Sequence, residues 1–128
     1  MNLLIRLFIC FTLVCYATPA SGKHLKYEAE YQIKWCSEHS GVIPSKSLPS
    51  GLRPDCVIPG KAAIEFDFAY KYREGIIQAI EYADETGLKA IVILIMENPG
   101  QDIVFIKRAL KVVELLKKNN IQIDIFVI

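Results

Sequence analysis

The sequence predicts an α/β domain on one mixed sheet of the α+β kind, with helices on both faces and the order α-β-β-β-α-β-α-β. Three observations predict it. Three short extended segments separated by Pro- and Gly-containing turns lie before residue 68, the pattern of a β-meander. The run AIVILIM over residues 90–96 is continuously apolar, as a strand covered on both faces would be. A helical segment separates the two, so the chain crosses over before re-entering the sheet.

The first helix is expected over residues 25–38. Leu25, Ala29, Ile33 and Cys36 recur at helical spacing, Tyr27, Tyr31 and Trp35 lie around the edges, and Gly41 closes it. Strands are expected over 42–48 and 52–58 around the turn Pro49-Ser50-Gly51, with Pro44 and Pro54 marking them as edge or irregular strands. After Pro59-Gly60, residues 62–68 form a third strand with Ile64, Phe66 and Phe68 on one face and Ala63, Glu65 and Asp67 on the other. The helix over 70–86 buries Ile76, Ile80 and Ala83, flanked by Ile77 and Ala79, and stops at Gly87. Asn98-Pro99-Gly100 is read as a turn. Residues 101–118 then form a helix whose apolar side carries Ile103, Ile106, Leu110, Val113 and Leu116, and 121–128 a last strand. The apolar character of that last strand makes it a candidate for pairing across a sheet edge, and the oligomeric state stays open.

Residues 1–22 read as a secretory signal peptide ahead of one domain over 23–128. Arg6 precedes the apolar run LFICFTLVCY, and small, helix-breaking ATPASG follows, with cleavage after Ala20 or Gly22. An uncleaved membrane anchor is the alternative, against which the run is short for a span. Cleavage implies a secreted or periplasmic address and no membrane attachment afterwards. It removes Cys10 and Cys15 and leaves Cys36 and Cys56, which in an exported domain suggest a disulfide, with two buried thiols as the alternative. It also takes the basic count from 15 to 14 against 14 acids. A chain of zero formal charge is poorly suited to tight nonspecific nucleic-acid binding, which needs many phosphate contacts, although a local basic patch is compatible with it.

Chemistry concentrates between Asp55 and Tyr82. Glu65 and Asp67 share one strand face and repel, so they need a cation, a proton or solvent. Asp55 on the preceding strand is a third carboxylate, and three hard oxygen donors on neighbouring strands suit a cation such as Mg²⁺. Alternatively the pair lines a solvated strand face. On the following helix Lys71, Glu74, Gln78 and Tyr82 form one stripe, opposite the apolar face and also readable as a solvent face. His24, next to the cleavage site, is expected to be disordered. His39 is expected to meet the C-terminal dipole of the first helix, and neither has metal-ligand spacing. Trp35 is expected in the core. The serines lack a triad arrangement, and the chain has no phosphate-cradling Gly-rich loop.

These residues resemble the PD-(D/E)XK nuclease superfamily, the restriction-endonuclease-like fold, and within it the RecB-type branch with a Q-x-x-x-Y motif. Gln78-Ala79-Ile80-Glu81-Tyr82 fits that motif, Asp55 the first metal-binding Asp, and Glu65 the second acidic ligand. Glu30 stands where many members carry a further acid. The resemblance spans residues 28–128 and includes the element order. It implies Mg²⁺ held by Asp55 and Glu65 with Asp67 or Glu30. Lys71 would orient water and stabilise charge, and Gln78 and Tyr82 would position substrate or the metal shell. The reaction would be hydrolysis of nucleic-acid phosphodiesters, DNA ahead of RNA. The family pattern has Lys where this chain has Asp67. Two readings follow: Lys71 supplies a migrated ammonium, or the fold serves as a catalytically silent secreted binding module.

Overall fold

The computed structural model describes residues 24–128. The signal-peptide reading, over residues 1–22, lies outside them. Helix α1 (Glu28–Glu38) leads into β1 (Ile43–Pro44), β2 (Cys56–Ile58) and β3 (Ala62–Phe68). A 3₁₀ turn (Ala69–Lys71) opens into α2 (Tyr72–Thr86), followed by β4 (Lys89–Ile95), α3 (Pro99–Lys118) and β5 (Ile123–Val127). The five strands lie in the order β1-β2-β3-β4-β5. β1, β2 and β3 pair antiparallel, and β3, β4 and β5 pair parallel, which makes the sheet mixed as expected.

Both parallel connections run in the same direction across the sheet. Crossovers of one hand then place both helices on one face. Accordingly Tyr72, Ile76 and Ala79 of α2 and Ile106 and Ala109 of α3 pack with Ala90, Val92 and Leu94 of β4. The other face is covered by α1, where Cys36 and Trp35 pack with Cys56, Ile64, Phe66 and Ile93. β3 is buried at all seven positions because helices cover it from both sides. Glu65 and Asp67 therefore do not lie on a solvated strand face.

The first two strands are much shorter than expected. Pro44 and Pro54 carry no N–H for a ladder, and residues 45–55 run as a loop folded on itself. In that loop the Leu48 N–H donates to Leu52 O at 2.6 Å and the Ser45 hydroxyl donates to Pro54 O. Asn98-Pro99-Gly100 is a helix start and not a free turn. Asn98 caps α3 by accepting from the Gln101 N–H at 3.4 Å, Pro99 occupies the first turn, and Asp102 accepts from the Asn98 N–H at 2.9 Å. Gly87 ends α2 at φ 69°, as its sequence position predicts, and donates its N–H to Ala83 O.

The orientation of α2 departs from its apolar periodicity. Its buried side is Tyr72, Gly75, Ile76, Ala79 and Tyr82, while Ile77 is 56% exposed. The cause is close packing on β3. A Cβ on Gly75 would stand 3.2 Å from Asp67 Cβ and 3.4 Å from Val92 Cγ1. The small pair Gly75 and Ala79 lets the helix settle onto the sheet, and this turns Tyr82 inward. The stripe from Lys71 to Tyr82 thus borders the buried face instead of opposing it. Cys36 and Cys56 form a disulfide with 6.8 Å between Cα atoms, tying the last turn of α1 to β2.

Candidate functional site

The site grows from the point where β2 parts from β3. Ladder pairing ends at Cys56↔Ile64, and just before it the Asp55 N–H donates to Ile64 O at 3.1 Å. Beyond this point the β3 N–H groups that face β2 have no strand partner. Carboxylates take over that role. Asp55 Oδ2 accepts from the Phe66 N–H at 2.8 Å, and Asp67 Oδ1 accepts from the Phe68 N–H at 3.0 Å. The same split therefore gathers Asp55, Glu65 and Asp67, and it does so for a backbone reason.

Glu28, the first residue of α1, joins them. Its half-buried carboxyl lies in the electrostatic field of Asp55, Lys71, Asp67 and Glu74. Burial, then Asp55, pushes its pKa up. Glu30, the α1 acid expected here, is turned away. It is exposed and accepts from the Tyr27 N–H at 3.0 Å, stabilising the start of its own helix. Glu28 was missed because the two positions differ only in helix rotation, which a short amphipathic pattern leaves loose.

Glu65 and Asp67 are 6% and 4% exposed. Burial, then the Asp55 charge, raises the Glu65 pKa to about 9, with the nearby Tyr82 hydroxyl opposing. Burial, then Glu28, raises Asp67 to about 7, with Lys71 opposing. Asp55 is raised by burial, against the Phe66 N–H and a hydrogen bond shared with Glu65. At neutral pH the cluster thus holds protons in place of a full set of negative charges. One acceptor stays unmatched: Glu65 Oε2 is buried with no hydrogen-bond partner.

Lys71 sits at the end of the 3₁₀ turn that follows β3. Partial burial works to lower its pKa, but Asp67, Glu74, Tyr70 and Glu28 outweigh that and raise it, so it stays an ammonium beside the acids. Tyr82, 2% exposed, has a hydroxyl 3.1 Å from Arg53 O and 3.2 Å from Gln78 Oε1, and it lies in the field of Glu65. Burial, then Glu65, pushes the phenol pKa well up. Gln78 is the second half of this contact. The Gln78 and Tyr82 pair therefore stands in the neighbourhood of Glu65.

The structure brings Asp55, Glu65, Asp67, Lys71, Gln78 and Tyr82 together, adds Glu28 and leaves out Glu30. Among the described residues, no three His, Cys, Asp or Glu side chains stand in an arrangement that would hold a metal ion as they are. The expected set of Asp55, Glu65, Asp67 and Glu30 is thus not preformed. Two histidines complete the account. His39 Nδ1 lies 2.6 Å from Trp35 O at the end of α1, as its position predicts. His24, expected to be disordered, stacks on Phe68 with ring centroids 3.8 Å apart.

No protein-family model, curated protein or solved structure matches this chain. Among the described residues, no helix is long and apolar enough to cross a membrane.

Proposed function

We propose that this chain is an exported, metal-dependent nuclease domain of the PD-(D/E)XK kind, hydrolysing phosphodiester bonds of nucleic acid, with DNA ahead of RNA. The observation that carries the reading is the Glu65 carboxylate. It is 6% exposed, has one oxygen without a partner, and faces other acids instead of a compensating base. A buried polar atom left unpaired costs about 1–3 kcal/mol and calls for an explanation. A hard divalent cation entering between Asp55 and Glu65 would supply that partner and displace the protons the pair retains.

Asp55 and Glu65 would hold Mg²⁺, with Asp67 and Glu28 at its border. When bound, Mg²⁺ would polarise the phosphate and make water a better nucleophile. Lys71 takes the place of the family's missing lysine. From the turn after β3, its ammonium lies in the field of Asp67, Glu74 and Glu28 and would stabilise charge on the phosphate. Gln78 and the Tyr82 hydroxyl pair with each other next to Glu65, and Asp55 is held by the Phe66 N–H.

A second reading has its own support. Glu65 and Asp67 lie beneath α2, and Asp67 stands where the family has its lysine, which fits a silent binding module. Calorimetric titration with Mg²⁺, together with cleavage of labelled DNA and RNA by the protein and its Asp55→Asn and Glu65→Gln variants, separates the two. Binding and cutting that both variants lose support the nuclease. Binding without cutting leaves the silent module. No binding removes the cation site altogether.

A further inference from the structure

Helix α1 is anchored at both ends. Its last turn is tied to β2 through Cys36–Cys56. The segment leading into it is held to the sheet by the side chain of Glu97, two residues past the end of β4. Glu97 Oε2 lies 2.7 Å from His24 Nδ1. Its Oε1 accepts from the Leu25 and Lys26 N–H groups at 3.0 and 3.3 Å and from the Tyr31 hydroxyl at 2.9 Å. The Glu97 side chain is 12% exposed, while the Leu25 and Lys26 ends of these contacts face solvent. Partial burial works to raise the Glu97 pKa, but hydrogen bonds from His24, Tyr31 and Lys26 hold it below the usual value. Phe68, the last residue of β3, completes the clasp, with His24 stacked on it and Tyr31 edge-on at 6.3 Å.

All four groups held by Glu97 lie within four residues before Glu28 or one helical turn after it. The carboxylate therefore fixes both the approach to α1 and the rotation of its first turn. That rotation is what separates Glu28, beside Asp67, from Glu30, turned outward.

We propose that Glu97 is a positioning residue for the acidic site: it latches the segment 24–31 to the carboxyl ends of β3 and β4, and so sets Glu28 against Asp67. Where the site's role is concerned, this rests on the cation reading above. The latch itself does not. A charged acceptor meeting several donors at once is also stronger than the same bonds made singly to neutral groups. Glu97→Gln keeps an oxygen for Leu25, Lys26 and Tyr31, whereas Glu97→Ala keeps none.

The test compares the protein with Glu97→Ala and Glu97→Gln by hydrogen exchange and by nuclear Overhauser contacts between the Glu28 and Asp67 side chains. Mg²⁺ calorimetry is added. In Glu97→Ala, amide exchange over residues 28–34 should rise about tenfold while β3 and β4 stay protected. The Glu28–Asp67 contacts should disappear, and Mg²⁺ affinity should fall about tenfold. Glu97→Gln should restore all three to within about twofold of the parent, as a retained acceptor predicts. Unchanged α1 exchange or persistent Glu28–Asp67 contacts in Glu97→Ala would overturn the latch. Lost contacts with unchanged Mg²⁺ affinity would overturn its role in the site. If the parent binds no Mg²⁺, the cation reading fails, and exchange and Overhauser contacts alone judge the latch. If Glu97→Ala does not fold, His24→Ala and Tyr31→Phe, each removing one contact, should raise α1 exchange partway, and no rise in either overturns the proposal.

Discussion

The buried acids make the stability of this fold fall as pH rises. Glu65 has a folded-state pKa of about 9 against an ordinary 4.5, and Asp67 about 7 against 3.8. Well below pH 4 these two acids are protonated in the folded and the unfolded chain alike, and their contribution to stability is fully present. Above it the unfolded chain releases protons that the folded chain retains, so stability declines until the pH passes the folded values. Each retained proton costs about 1.4 kcal/mol per pH unit. Between pH 5 and pH 7, Glu65 alone then accounts for about 2–3 kcal/mol, with a somewhat smaller share from Asp67 as its own pKa is approached. That is a large fraction of the roughly 5–15 kcal/mol typical of a domain. Glu65→Gln has nearly the same shape and does not titrate. Urea denaturation from pH 5 to pH 8 without divalent cations should show a steep decline for the parent and about half that slope for the variant. Parallel curves would refute the reasoning, because Glu65 would then carry no retained proton.

Three further outcomes follow from the packing. Reduction of Cys36–Cys56, which closes a loop of 20 residues, should lower stability by about 3 kcal/mol, read as a fall in melting temperature on adding reductant. Gly75→Ala gains about 1 kcal/mol of helix propensity. The new methyl meets the stems of Asp67 and Val92, both held in central strands, so the variant should be about 1 kcal/mol less stable overall in urea melts. Tyr82→Phe removes the hydroxyl shared by Arg53 O and Gln78 and should cost about 1 kcal/mol, whereas Tyr70→Phe, on an exposed side chain, should change the same melts by less.

The local chemistry of the chain specifies much of this architecture. Alternation over 62–68 locates β3 to the residue, because a half-apolar strand between two turns has few other solutions. The continuous apolar run marks β4, and Gly87 marks the end of α2, the φ it needs being one that glycine adopts freely. The two cysteines that remain after the expected signal peptide suggest the bond that joins α1 to β2. The acids Asp55, Glu65 and Asp67 were legible as a group for the same reason: neighbouring strands and period-two spacing bring them together.

What tertiary contact decided is rotation and closure. α2 follows the fit of Gly75 and Ala79 against β3 and not the largest apolar stripe, so Tyr82 goes in and Ile77 goes out. α1 presents Glu28 instead of Glu30, and no pattern along the helix signals this, because the cause lies at Glu97, 69 positions further along the chain. His24 is ordered by partners equally remote, Glu97 and Phe68. The spacing of residues along one element carries its periodicity. The angle at which that element meets the next is set by side chains distant in sequence, and only their packing reveals it.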